Sequence, residues 1–185
     1  MSDQTRFVIT GGPGTGKTTL LRELEQMGFA CMPEVARLII QEQVRSGGTA
    51  LPWSDREKFA GLMLKRSIES YEQTPRSQPT FSDRGIPDTL GYARLIALRD
   101  DREIREACDR YRYASPVFIT PPWAEIYETD SERKQNFAEV VQTFHFLTRT
   151  YEECGYPLVE VPRVPPKERA QFIVGHLGLR QCRDL

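Results

Sequence analysis

The chain has 185 residues, enough for one compact domain with its own core, and it is 39% hydrophobic and 28% charged. That balance suits a folded globular protein and argues against extended disorder, while a formal net charge of −1 excludes a global basic field for nucleic acid or an anionic membrane. No apolar run reaches membrane-spanning length and the polar opening MSDQTR does not read as a signal peptide, so the expectation is a cytoplasmic protein with neither nucleic acid nor membrane as partner.

In chain order, Phe7–Thr10 reads as a first strand and Lys17–Met27 as the helix after it. Between them stands GGPGTGKT, Gly11 to Thr18, which is the pattern G-x-x-x-x-G-K-[ST] in its strand–loop–helix setting. Glycines there let backbone N–H groups turn inward around a polyphosphate, and the helix start adds its positive dipole end. The expected cradle is Gly11, Gly12, Pro13, Gly14, Thr15, Gly16, Lys17, Thr18 and Thr19. Lys17 would reach the terminal phosphates, and the Thr18 hydroxyl would complete a Mg²⁺ shell. The implied cofactors are ATP and Mg²⁺; the guanine-reading N-K-x-D is missing from the sequence, which tilts the base toward adenine.

Gly28 ends the first helix and Phe29–Met32 reads as a short second strand. Glu34 follows where strand becomes helix, so its carboxylate is a candidate general base for a substrate hydroxyl, or a plain first-turn acid facing the helix dipole. Arg37, one turn on, shares a face with Glu34 and is either a substrate ligand or its ion-pair partner. The helix Val35–Arg45 leads through a loop at Ser46–Thr49 to a long helix capped by Ser54 and ending near Tyr71. Pro79–Asp83 is the third strand, closed by Ser82-Asp83-Arg84-Gly85. Ligands of open α/β sheets gather at such carboxyl ends. Asp83 there would orient magnesium through water and Arg84 would clamp an anionic or hydroxyl-rich substrate, the alternative being an Asp–Arg surface turn.

Helices are expected over Asp88–Leu98 and, strongly charged, over Asp101–Tyr111, the latter a docking surface or a solvated face. Pro116–Thr120 is the fourth strand, ended by Pro121-Pro122. Trp123 and Tyr127 then stand as pocket walls or packing residues, while Trp53, Tyr111 and Tyr113 have no assigned place. The polar stretch Glu128–Lys134 supplies Arg133, whose planar fork suits a transferring phosphoryl group, with Lys134 second; a solvated helix start is the alternative. The helix Phe137–Cys154, the strand Pro157–Val161 and a helix from about Lys167 to Leu177 complete the chain. Cys31, Cys108, Cys154 and Cys182 lack metal-ligand spacing and read as reduced thiols, and His145 and His176 have no assigned role.

GGPGTGKTT after the first strand, PEVAR after the second and SDRG after the third resemble the nucleoside and nucleotide kinase branch of P-loop proteins. Trp123, Asp130 and Arg133 resemble, more narrowly, the W-x(n)-D-x-x-R pattern of the nicotinamide-riboside kinase group, and the whole run from Arg6 to about Leu177 is similar to small bacterial proteins labelled AAA-type ATPases. Two departures stand out: Thr18 replaces the usual Ser, and Glu128-Thr129-Asp130 replaces an Asp-Gly turn. The resemblance implies a single α/β domain, a three-layer sandwich around a five-stranded parallel sheet in the order 2-3-1-4-5, with a lid segment near 123–136. It also implies that Glu34 is the base, that Arg84 holds the substrate's reacting end and that Arg133 contacts the transferring phosphate.

Two functions follow as expectations. One is a phosphotransferase that moves the ATP terminal phosphoryl group to a small, nucleoside-like acceptor held by Glu34, Arg37, Arg84 and Trp123, with Lys17 and Asp83 completing the catalytic set. The other is a nucleotide-dependent switch or accessory ATPase acting through a protein partner, which needs only the loop and a movable segment.

Overall fold

Alternate residues of β1 (Arg6–Gly11) point to opposite faces of one sheet, and that alternation builds the layers of the protein. The computed structural model describes residues 5–127 and 137–180. Phe7 and Ile9 join Phe81, Phe118, Leu20, Leu24 and Ile173 in a core under α1 (Lys17–Gln26) and α7 (Pro166–His176). Val8 enters the opposite core with Val117, Ile86, Leu90, Ile104, Tyr151 and Tyr156. That side is covered by α3 (Arg56–Gln73), α4 (Ile86–Leu95), α5 (Arg102–Arg110) and α6 (Phe137–Glu153). A smaller cluster of Ile39, Phe59 and Met63 joins α2 (Val35–Ser46) to α3.

The remaining strands are β2 (Ala30–Met32), β3 (Thr80–Asp83), β4 (Val117–Thr120) and β5 (Leu158–Glu160). All neighbours are parallel and the order is β2-β3-β1-β4-β5, as the family resemblance implied. β1 is therefore central, and its register sets Ile9 beside Asp83 and Gly11 beside Thr120. The carboxyl ends of β1, β3 and β4 thus meet at one edge. Phe81, fully buried, stacks on Phe7 at 5.5 Å between ring centres and meets Phe29 edge-on at 5.6 Å.

Three local expectations need correction. The cap of α3 is Asp55, not Ser54: its Oδ1 accepts the Lys58 N–H at 3.0 Å. α4 starts at Ile86, two residues before Asp88, because Pro87 is tolerated in a first turn whose N–H groups need no helical partner. It also stops at Leu95 rather than Leu98. Ala97 takes φ +52° there, and the Leu98 N–H closes back on the Ala93 carbonyl at 2.9 Å, a Schellman ending made without glycine.

The charged helix α5 buries Ile104, Ala107 and Cys108, while Arg102 and Arg105 pair locally with Asp100 and Asp101, as a solvated face does. Cys31, Cys108 and Cys154 are free thiols; Cys182 lies outside the described residues. No helix among the described residues is long and apolar enough to cross a membrane.

Candidate active site

A cleft of about 1700 Å³ opens over the carboxyl edge of the sheet. Its floor is the loop between β1 and α1, where Pro13 to Thr19 line the space. Gly11 leaves the strand at φ +138° against β4, and a Cβ added there would lie 2.6 Å from the Thr120 carbonyl oxygen. Gly16 starts α1 at φ +81°, a left-handed turn that brings the helix N-terminus to the loop. The Thr15 hydroxyl donates to the Gly12 carbonyl at 2.9 Å and lies 2.7 Å from the Thr120 hydroxyl, which ties loop to sheet.

Lys17 is buried and folded back on the loop, its Nζ donating to the Gly11 and Gly12 carbonyls at 3.0 and 2.8 Å. Burial, with the nearby positive charge of Arg84, lowers its pKa to about 8, against the smaller pull of Asp83, Glu34 and Asp88. Thr18 is exposed on the cleft wall; Thr19, also exposed, donates its hydroxyl to the Gly16 carbonyl at 2.8 Å.

Opposite the loop, the ends of β2 and β3 bring together the acidic and basic residues expected there. Glu34 is the N-cap residue of α2, yet its carboxylate caps nothing and instead accepts from Arg84 Nε at 2.9 Å. Burial alone would raise its pKa, but Arg84, Lys17 and Arg37 outweigh that and hold it at about 2. Arg84 itself stands at φ +72°, a left-handed conformation uncommon for a residue with a side chain, and its Nη1 donates to Asp88 Oδ1 at 3.1 Å. Both carboxylates keep the guanidinium firmly protonated despite its burial. Arg37 lines the same cleft, close enough for its charge to act on Glu34.

Asp83 is buried beside Lys17, and its Oδ1 has no hydrogen-bond partner among the described residues. Burial raises its pKa; Lys17 opposes the shift and Glu34 reinforces it. A buried, unpaired carboxylate oxygen and an exposed threonine hydroxyl lining one cleft are a donor set that fits magnesium, which takes one or two protein oxygens and fills its shell with phosphate and water. No cluster of three or more His, Cys, Asp or Glu gathers among the described residues, so a dedicated protein cage for a metal is not what this site offers.

Trp123 lines the cleft on the β4 side, its ring 5.0 Å from the guanidinium carbon of Arg169. Arg169, on α7, is fully buried and donates from Nη1 to the Thr15 carbonyl at 2.8 Å and from Nε to the Pro162 carbonyl at 3.0 Å. The aromatic shelf is thus fixed to the phosphate loop rather than to Glu34. Tyr127 and Ile126 lie over the same loop: a Cβ on Gly14 would meet the Tyr127 ring at 2.8 Å, and one on Gly16 would meet Ile126 at 3.2 Å. Tyr113 is a packing residue whose hydroxyl accepts the Ile86 N–H at 3.3 Å. His176 packs edge-on against Phe118. Arg133, Lys134 and most of the expected lid fall outside the described residues.

Asp88 and Arg169 were not among the expected site residues. The spacing of Asp88, four positions after Arg84, is a helical pairing distance and was a usable signal. Arg169 lies 154 positions from its partner Thr15, and nothing local marks it.

The sheet order, the glycine-bent loop and its buried lysine define a P-loop protein of the α/β class. The chain belongs to the family described as an AAA domain, whose model matches residues 6–169. No curated protein sequence matches it closely enough to serve as a relative. Among solved structures it is similar to the NadR protein in complex with NR, with TM-score 0.71 and 19% identity over 94% of this chain and 50% of that one. It thus spans half the length of NadR. Thymidylate kinase from Ehrlichia chaffeensis matches with TM-score 0.60 and 15% identity, over 95% of this chain and all of that one. Shikimate kinase from Acinetobacter baumannii in complex with shikimate gives 0.55 and 16%, over 94% and 93%. The fold is that of the P-loop kinases.

Proposed function

We propose that the protein is an ATP- and magnesium-dependent phosphotransferase whose acceptor is a small hydroxyl-bearing, nucleoside-like molecule. The observation that carries this reading is the Glu34–Arg84–Asp88 cluster facing Lys17 across the cleft. A hydrolase or switch needs only the loop and a movable segment, whereas this cluster supplies what a second substrate needs. The solved structures that share the fold include the NadR protein in complex with NR and a shikimate kinase in complex with shikimate.

In this reading the triphosphate lies along Pro13–Thr19, and Lys17 turns from the Gly11 and Gly12 carbonyls to the terminal phosphates. Thr18 and Asp83 would hold magnesium, which would supply positive charge to neutralise the phosphate oxygens. Trp123, anchored by Arg169, belongs to the nucleotide end of the cleft. The acceptor hydroxyl donates to Glu34, its oxygen attacks the γ-phosphorus, the bond to the β-phosphate bridging oxygen breaks, and the proton leaves toward Glu34. With a pKa of about 2, Glu34 is ionised at every physiological pH and serves first as an aiming acceptor for that hydroxyl. Its weak basicity suits a loose transition state in which the proton departs late. Arg133, from the segment 128–136, is the proposed donor to the moving phosphoryl group in a lid of this single domain, and the cytoplasm is the setting where ATP is at hand.

The test is purified protein with γ-labelled ATP and a panel of nucleosides and related polyols. Label should appear on one acceptor, and Glu34→Gln should depress that turnover about 10²-fold with ATP affinity nearly intact, the scale of an aiming and proton-transfer loss. ATP consumption indifferent to every acceptor but stimulated by a protein partner would replace this reading with the switch.

A further inference from the structure

The geometry points to Asp88 as the positioning residue that splits the Arg84 guanidinium between two carboxylates and so leaves Glu34 open to the acceptor; the inference rests on the phosphotransferase reading above. Asp88 is 4% exposed, and each of its oxygens takes two hydrogen bonds. Oδ1 accepts from the Thr10 hydroxyl at 2.6 Å and from Arg84 Nη1 at 3.1 Å; Oδ2 accepts from the Gly85 N–H at 2.8 Å and the Tyr151 hydroxyl at 2.5 Å. The donors come from β1, from the turn before α4 and from α6, so the carboxylate is held from three sides and cannot follow Arg84 if the arginine moves.

An arginine beside a lone carboxylate prefers a parallel, two-pronged pairing that uses both carboxylate oxygens. Arg84 gives Glu34 only one bond, Nε to Oε1: with Nη1 drawn to Asp88 the guanidinium is held at an angle at which Nη2, the nitrogen that shares an edge with Nε, makes no bond to the second oxygen. One Glu34 oxygen is therefore not claimed by Arg84. Without the charge on Asp88, the guanidinium would rotate onto Glu34, engage both oxygens and block the hydrogen bond on which aiming of the acceptor hydroxyl depends. Asp88 touches neither the nucleotide loop nor the acceptor in this account and acts only through Arg84.

The test uses Asp88→Asn in the full chain, alone and combined with Arg84→Gln. Its crystal structure should show Arg84 paired to both oxygens of Glu34. With the acceptor identified by the labelled-phosphate panel, D88N should lower kcat about 10²-fold, as misplacement of a reacting group does, and leave the affinity for a non-hydrolysable ATP analogue unchanged. In the R84Q background the same substitution should cost almost nothing further. A purely structural role predicts an equal loss in both backgrounds, and that result would overturn the proposal, as would an Arg84 that keeps its present single bond to Glu34 in D88N. If D88N does not fold, Asp88→Ser carries the same comparisons in a smaller side chain. Should no acceptor be phosphorylated by the unaltered protein, the phosphotransferase reading fails, while the crystal comparison still decides how Arg84 is held.

Discussion

Replacing Arg84 by alanine and, separately, by glycine divides the backbone contribution at this residue from its charge. The left-handed φ of +72° costs a residue bearing a Cβ roughly 1–2 kcal/mol, a penalty glycine does not carry. Against this, glycine frees the unfolded chain by about 0.4–1 kcal/mol relative to alanine. Arg84→Gly should therefore be the more stable of the two variants by about 1 kcal/mol. Both lose the pairing with Glu34 and Asp88, and stripping one partner from a buried pair costs about 3–5 kcal/mol. Part of that loss is visible against pH. Glu34 has a folded pKa near 2 against an ordinary value of 4.5, so its pairing stabilises the fold above the unfolded pKa and is lost as pH falls through the folded one. A depression of that size corresponds to about 3 kcal/mol. Urea unfolding of the parent protein between pH 6 and pH 2 should show stability falling once pH drops below about 4.5, and both variants should show a much flatter dependence. Equal stability of the alanine and glycine forms would refute the claim of stored backbone strain. An unchanged pH slope in both would refute the claim that Arg84 is what depresses Glu34.

Two further outcomes are expected. Lys17, with its pKa lowered to about 8, must be charged to hold a triphosphate, so affinity for an ATP analogue should fall about fivefold from pH 8 to pH 9, with proton uptake on binding measurable by calorimetry in buffers of different ionisation heat. The opposite sign governs folding: between pH 8 and 10.5 the unfolded chain binds more protons at Lys17 than the folded one, so this residue makes stability rise with pH, and a parallel decline in ATP affinity is not a sign of unfolding. Phe81→Ala, in the ring cluster with Phe7 and Phe29, should cost about 3–5 kcal/mol by chemical denaturation, as large cavities in cores do; a loss under 1 kcal/mol would mean the sheet does not depend on that packing.

The parts of the site that sequence made legible are those built from neighbours. GGPGTGKT acts through the backbone of consecutive residues, so its spacing alone pointed to a glycine-bent loop with a lysine and a threonine hydroxyl beside it; that Lys17 is buried and Thr18 exposed came from the structure. SDRG and PEVAR were legible as strand ends, but what they hold depended on pairing across 50 positions between Glu34 and Arg84. Sequence left Glu34 as either a base or a first-turn acid. The structure shows it at the N-cap with its carboxylate turned across the sheet edge, a choice made by Arg84 and not by anything within α2. The same limit explains the helix ends. Ser54 and Asp55 are both good caps, and only the direction of the chain selects between them. Ala97 ended α4 in a conformation that glycine usually marks, so no local signal announced it.

Arg84 shows why such sites resist local reading. A glycine would fit its backbone better, and an arginine elsewhere would avoid the strain, yet the left-handed turn is what sends the side chain back over the sheet between Glu34 and Asp88. Strain at one residue persists only where the surroundings over-determine it, and here the determinants come from β2, β3, α4 and, through Thr10 and Tyr151, from β1 and α6. The motif letters record the arginine, whereas its aim is a property of the whole sheet edge. That is why a substitution at Asp88, which no phosphate or acceptor touches in the proposed complex, is expected to act on transfer and not on nucleotide binding.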